Sequence, residues 1–127
     1  MILTPLYESL IVRELESNPH FMFTDILKHF ELHNGIDQDF FVVEYVDERK
    51  NESFVAVIIG NEDGQIYTAR QDLALDEVIY YDEETDEILT KNEVFESFIK
   101  SGQDREESFN DYLYNSTDYN GCLVWIY

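Results

Sequence analysis

Three runs, "DFFVVEYV" from Asp39, "SFVAVIIG" from Ser53 and "QIYTAR" from Gln65, set the strongest constraint on what this chain folds into. Each is short, β-branched or aromatic, and bounded by a polar connection, "DERKNE" after the first and "NEDG" after the second. Side chains of this kind fit a pleated surface and Asp63-Gly64 is a tight-turn dipeptide, so the pattern predicts an antiparallel meander of three strands. The middle run, Phe54 to Ile59, is apolar enough to lie at the centre. Downstream, "EVIYY" and "EIL" flank "DEETD" as a fourth strand and a short fifth, and "GCLVWIY" closes the chain as a buried strand.

Helical spacing frames these strands. Thr4-Pro5 reads as an N-cap and first helical residue, with Leu3, Leu6, Tyr7, Leu10, Ile11 and Leu15 forming an apolar stripe at spacings of three and four and an end near Asn18-Pro19. Phe23, Ile26, Leu27 and Phe30 predict a second helix that begins at Thr24 or Asp25 and stops at Asn34-Gly35. Thr90 with Glu93 forms a capping box that opens a helix on Val94, Phe95, Phe98 and Ile99, ending at Ser101-Gly102. A last helix is expected around Asp104 to Tyr114. The expected fold is therefore α+β, one domain over residues 1–127. It is an antiparallel sheet of about four to six strands with two N-terminal helices and one or two C-terminal helices on one face.

Charge then narrows the partners. The chain carries 28 Asp and Glu against 8 Lys and Arg, net −20, where small soluble domains are usually designed with a magnitude of about 2 to 8. Residues 1 to 71 hold 13 acidic and 5 basic residues, and residues 72 to 127 hold 15 and 3, so the shorter C-terminal part is the more acidic. Nine Tyr, nine Phe and one Trp make wholesale disorder a poor reading, because disordered acidic chains are depleted in aromatics. The acid decorates a folded body. Phosphate recognition needs Lys and Arg, so direct binding to nucleic acid or to an anionic membrane is disfavoured and a basic protein partner is favoured. The N-terminus lacks the pattern of a signal peptide and no run has the ~20 apolar residues of a membrane span, which predicts a cytoplasmic protein. In that compartment the Asn51-Glu52-Ser53 and Asn115-Ser116-Thr117 sequons carry no meaning, and Cys122 reads as a small buried hydrophobe.

Each chemical site has a plainer competitor. Asp82, Glu84, Asp86 and Glu93 occupy positions 1, 3, 5 and 12 of an EF-hand-like loop, but Glu87 replaces the Gly of the sharp turn and a strand-like run replaces the entering helix. His29 and His33 would share a helix face, yet two imidazoles without a Cys cluster or an H-E-x-x-H arrangement do not make a zinc site. Neither a nucleophile elbow nor a phosphate-binding glycine loop is present, so no catalytic residue, metal or cofactor is assigned and the chain is not read as an enzyme.

The acid itself has interpretable geometry. Carboxylates at i and i+2 of a strand lie ~6.5 to 7 Å apart on one face, and i to i+4 on a helix rises ~6 Å, both close to the step between phosphates along a nucleic-acid strand. Asp82, Glu84 and Asp86 have the first spacing if extended; Asp104, Glu107 and Asp111 have the helical one, with Glu93, Glu96 and Glu106 extending the row. Plain solvation would intersperse Lys with these residues, because like charges four apart on a helix cost ~0.2 to 0.5 kcal/mol each. Here Lys is almost missing.

With segments such as "DEETDEILTKNEVFES" and "EESFNDYLYNS", the chain resembles the small acidic inhibitors of phages and mobile elements, the anti-CRISPR and anti-restriction proteins that act as DNA mimics. The resemblance lies in size, acidity and α+β order over the whole chain. It implies a partner with a basic DNA channel, an RNA-guided Cas nuclease or a restriction enzyme in the cytoplasm of a bacterial host. The expected partner-binding set is Asp82, Glu83, Glu84, Asp86, Glu87, Glu93, Glu96, Asp104, Glu106, Glu107 and Asp111, with Tyr80, Tyr81, Tyr112 and Tyr114 supplying contact area. Two alternatives share parts of this pattern, an immunity protein that neutralises a basic nuclease toxin and a calcium-binding module. Either a monomer or a homodimer fits the composition.

Overall fold

The computed structural model describes residues 5–33, 37–61, 63–83, 85–100 and 123–127. They form an α+β architecture in the order α1 (Pro5–Leu15), β1 (Phe21–His33), β2 (Asp37–Asp47), β3 (Glu52–Asn61), β4 (Ile66–Leu73), β5 (Ile79–Asp82), β6 (Glu87–Thr90), α2 (Lys91–Lys100) and β7 (Leu123–Trp125). The chain divides into two compact units, Met1–Asp76 and Glu77–Tyr127. Each contains its own antiparallel sheet, ordered β1-β2-β3-β4 in the first and β6-β5-β7 in the second.

The three-strand meander, β2 to β4, is as predicted, but a further strand precedes it where a helix was expected. Thr24 to His33, expected as a helix, belong to β1, which pairs antiparallel with β2 from Phe21↔Asp47 to His33↔Asp37. Register shifts between Phe23 and Asp25 and between Ile26 and Lys28 interrupt this ladder. Each shift inserts one unpaired residue, so the residues opposite Tyr45, Val43 and Phe41 are Phe23, Ile26 and His29. Bulges have thus stretched the two-residue period of a strand into steps of three, which imitates a helix in the sequence.

Pleating in the first unit brings Phe41, Val43 and Tyr45 of β2 and Ala56 and Ile58 of β3 to one face. There they form a buried core with Ile11 and Leu15 of α1 and with Phe21. Truncating a buried Ile or Leu of this kind to Ala costs about 2–5 kcal/mol, so the helix is held by its stripe more than by its propensity. Tyr7 adds a tilted ring contact to Phe41 at 5.7 Å. Phe40, Val42, Val55, Val57 and Ile59, on the alternate positions, are buried as well. A strand buried on both faces reads as a continuous apolar run, which is why "FVAVII" shows no alternation.

In the second unit β5 is central, paired with β6 from Ile79↔Thr90 to Asp82↔Glu87 and with β7 from Tyr80↔Trp125 to Asp82↔Leu123. The closing strand is accordingly an edge of this sheet. Thr90 then starts α2 through the predicted capping box: its amide donates to Glu93 Oε1 at 2.9 Å and its Oγ1 accepts from the Glu93 amide at 3.3 Å. Val94 is buried, whereas Phe95 and Ile99 are exposed. The helix expected at Asp104 to Tyr114, and Cys122, lie outside the described residues. Among the described residues no helix is long and apolar enough to cross a membrane.

Candidate acidic interface

The expected acidic face centres on the β5–β6 hairpin. Asp82 ends β5, Glu87 begins β6, and Glu83, Thr85 and Asp86 are turn residues, so Asp82 and Asp86 do not lie along one extended row; Glu84 lies outside the described residues. The Asp86 amide donates to the Asp82 carbonyl at 2.8 Å, and the Thr85 amide donates to Asp82 Oδ1 at 3.3 Å. Asp82 is 1% exposed. Its carboxylate therefore serves the turn from inside. Asp86 adopts φ +59°, a left-handed conformation that Asp tolerates better than most residues. The hydroxyl of the buried Tyr81 donates to its Oδ1 at 2.5 Å. Glu93 is occupied by the cap of α2.

A second turn in the molecule repeats this construction. Asp47 ends β2 and Glu52 begins β3, with Asp47↔Glu52 as the last pair, as Asp82↔Glu87 is in the other hairpin. The Asn51 amide donates to the Asp47 carbonyl at 2.8 Å, and Asn51 has φ +52°. The Arg49 amide donates to Asp47 Oδ1 at 3.0 Å, and Asp47 is fully buried. The two turns share the pattern Asp-Glu-x-x-Asx-Glu, "DERKNE" and "DEETDE".

Charge separates the two. Residues 47–52 hold three carboxylates with Arg49 and Lys50, whereas residues 82–87 hold five carboxylates and no cation. The Arg49 guanidinium donates from Nε to Asp47 Oδ1 at 3.1 Å and from Nη2 to Oδ2 at 2.9 Å. These bonds hold the Asp47 carboxyl below the usual carboxylate range and raise Arg49 above its ordinary value. Lys50 lies over the Phe54 ring, 5.2 Å from its centroid.

Carboxylates elsewhere also serve the fold. Tyr45 donates its hydroxyl to Asp72 Oδ1 and accepts from the Asp72 amide, both at 2.8 Å. Asp72 stands at φ +61°, beside the register shift where β4 leaves β3 between Arg70 and Leu73. Burial, and then the Asp72 carboxylate, push the Tyr45 hydroxyl far above its ordinary value. Exposed Glu87 and Glu96 and half-buried Glu83 remain on the second unit's surface, with Tyr80 half-buried. Glu84, Asp104, Glu106, Glu107, Asp111, Tyr112 and Tyr114 lie outside the described residues.

The first unit also has a concave site the sequence reading missed. Tyr7, Glu31, Asp37, Gln38, Asp39, Asn61 and Gly64 line a cavity of about 260 Å3 where the ends of β1, β2 and β3 meet. His29 Nε2 lies 3.0 Å from Asp39 Oδ1, and its ring stacks on Phe41 at 4.6 Å. Because β1 is a strand, four residues separate the His29 and His33 backbones by ~13 Å rather than one helical turn. Among the described residues no group of three or more His, Cys, Asp or Glu is arranged to hold a metal ion.

No family model, curated protein or solved structure matches this chain. Its chemistry is carried by the geometry alone.

Proposed function

We propose that this chain is a stoichiometric inhibitor that acts as a DNA mimic, presenting carboxylates to the basic nucleic-acid channel of a bacterial defence nuclease. The observation that carries the reading is the pair of matched turns. "DERKNE" makes the same hairpin connection with two cations in it, so the turn does not require the five carboxylates of "DEETDE". Like charges packed into one turn repel, and keeping five of them in a segment with no basic residue of its own is consistent with use of their field.

Within this reading the roles divide. Asp82 and Glu93 hold the turn and the helix start, and Tyr81 holds Asp86. Glu83, Glu84, Glu87 and Glu96 offer charge to Arg and Lys of the channel. The sequence from Asp104 to Asp111 supplies further carboxylates, and Tyr80, Tyr112 and Tyr114 add contact area. Association is steered electrostatically and weakens as salt rises.

The test is capture of partners from a bacterial lysate at low salt, followed by a salt gradient, with the intact chain and with the variant E84R/T85K/D86N side by side. The variant converts the second turn to the composition of the first. A defence nuclease released at lower salt from the variant, and inhibited less by it in a DNA-cleavage assay, is the expected result. Equal elution and equal inhibition would remove the turn from the interface, and a toxin nuclease in the eluate would move the assignment to immunity.

A further inference from the structure

Opposite Asp39 in the β2–β3 ladder stands Gly60. A glycine inside a strand weakens it, and neither conformation nor crowding demands one here. Gly60 is not among the positive-φ residues, and a Cβ at this position would lie 3.8 Å from Phe41 Cε2 and 3.9 Å from Asp39 Cβ, which are ordinary contacts. The missing side chain leaves room beside the Asp39 carboxylate. Glycines of this kind mark places where a ligand or another backbone approaches a sheet closely.

Asp39 is also held from behind. His29 Nε2 donates to Asp39 Oδ1 at 3.0 Å, and the imidazole is 10% exposed and stacked on Phe41. A buried ring that fixes one carboxylate oxygen orients the other, so Oδ2 remains for the cavity that Asp39 lines. At the next pair of the ladder, Gln38↔Asn61, Gln38 Nε2 donates to Asn61 Oδ1 at 3.1 Å. An amide carries both donors and an acceptor. That single bond therefore leaves Gln38 Oε1 as an acceptor and Asn61 Nδ2 as a donor among the groups lining the cavity.

The chemistry of a ligand follows from this lining. Glu31 and Asp37 belong to it and no Lys or Arg does, so a phosphate or carboxylate is repelled and a cation is drawn in. A bare metal ion does not suit it, because among the described residues no group of three or more His, Cys, Asp or Glu is arranged to hold one. The volume of about 260 Å3 also far exceeds the ~30 Å3 of a water-sized ammonium. A guanidinium is larger and planar, presents five N–H donors in a fixed fork, and lies well against an aromatic ring such as that of Tyr7.

We propose that this cavity is a guanidinium site. Asp39 Oδ2 and Gln38 Oε1 accept from the fork, Glu31 and Asp37 supply the surrounding negative potential, and Tyr7 offers its ring. The site belongs to the first unit and does not rest on the acidic hairpin of the second. A small molecule and an arginine side chain of a protein both carry the group, and the test separates them.

The test is an NMR titration of the intact chain at about 10 mM salt, where the Debye length is near 30 Å. The probes are N-acetyl-arginine methylamide, ethylguanidinium and, as a control for bare charge, N-acetyl-lysine methylamide. Both guanidinium probes are expected to give saturable shifts at the amides of Gln38, Asp39 and Asn61, with the lysine probe about tenfold weaker because it lacks the fork. Tighter binding of the capped arginine places the group on a protein side chain, and equal or tighter binding of ethylguanidinium places it on a small molecule. D39N keeps an acceptor for His29 and should weaken the arginine probe about tenfold. G60V keeps every charge but fills the space beside Asp39, and should weaken it as well. E87Q/E96Q, in the other unit, should leave it unchanged; a loss there overturns the site by making general charge the cause. Shifts that do not saturate, that saturate at other amides, or that the lysine probe matches in affinity also overturn it, as does a folded D39N or G60V that binds like the intact chain. Should those variants fail to fold, the shift map and the arginine-to-lysine ratio of the intact chain carry the decision.

Discussion

Between Asp47 and Glu52 the chain reverses with a buried aspartate, a left-handed Asn51 and an arginine that closes on the aspartate. Between Asp82 and Glu87 it reverses with a buried aspartate, a left-handed Asp86 and no basic residue. The backbone bonds from Asn51 and Asp86 to the aspartate carbonyls have the same length, 2.8 Å. What the fold requires at this kind of turn is thus an Asp at the strand end and an Asx in the left-handed position, and the middle residues are open to other uses. In the first turn they neutralise; in the second they accumulate charge.

The largest expected effect comes from removing the aspartate whose partner is charged. D47A leaves three Arg49 donors without their acceptor, so it should lower the urea midpoint more than any other single change in either turn. It also has a pH signature. The Asp47 carboxyl is held low in the folded chain by Arg49, so the stability it supplies is fully present above the unfolded carboxylate value near ~4. That stability is lost as pH falls through the depressed folded value. Urea midpoints from neutral to strongly acidic pH should fall more steeply for the intact chain than for D47N, and parallel curves would show that Arg49 contributes nothing specific.

D82A comes next. It strips the acceptor from the amide of exposed Thr85, which costs about 0.5–1.5 kcal/mol. D82N keeps an oxygen there and should recover most of the loss in the same denaturation measurement. An unchanged midpoint for D82A would return Asp82 to the surface-charge group and break the match between the turns.

Below these stand the tyrosines. Y45F and Y81F each remove a hydroxyl that holds an Asp at positive φ, at a cost of about 1 kcal/mol. Y45F should also flatten the alkaline limb. The folded hydroxyl of Tyr45 ionises far above its ordinary value of 10.0, so its contribution is complete below that value and is lost as pH rises beyond it. Thermal scans up the alkaline range should therefore find the intact chain more stable than Y45F below about pH 10, with the two midpoints converging as pH rises beyond it.

These comparisons also mark how far the sequence could be read. The strands β2 to β6 and the Thr90–Glu93 cap were legible, because alternation, turn dipeptides and capping are local in sequence. β1 was not, since its two bulges place Phe23, Ile26 and His29 at steps of three and "NG" ends a helix or joins a hairpin equally well. The acidic hairpin was legible as a location. Its division of labour was not, because whether an Asp caps a turn from within or faces water depends on burial, and Asp82 and Glu83 look alike in a composition count. The concave site between Tyr7 and Asp39 depends on contacts more than 30 positions apart, beyond any local pattern.

The smallest expected effect is the most telling for the acidic turn. E84R/T85K/D86N gives "DEETDE" the composition of "DERKNE", and Asn at the left-handed position still offers Tyr81 an acceptor. Surface changes of this kind shift stability by about ±0.5 kcal/mol or less. A midpoint within that band means the backbone is indifferent to the charge, and a rise beyond it means the natural turn keeps its acid at a cost to stability. Either result leaves the carboxylates in need of an external use. A clear loss would mean the opposite, that the turn itself depends on "EETD", and the inhibitor reading would then lose the observation on which it stands.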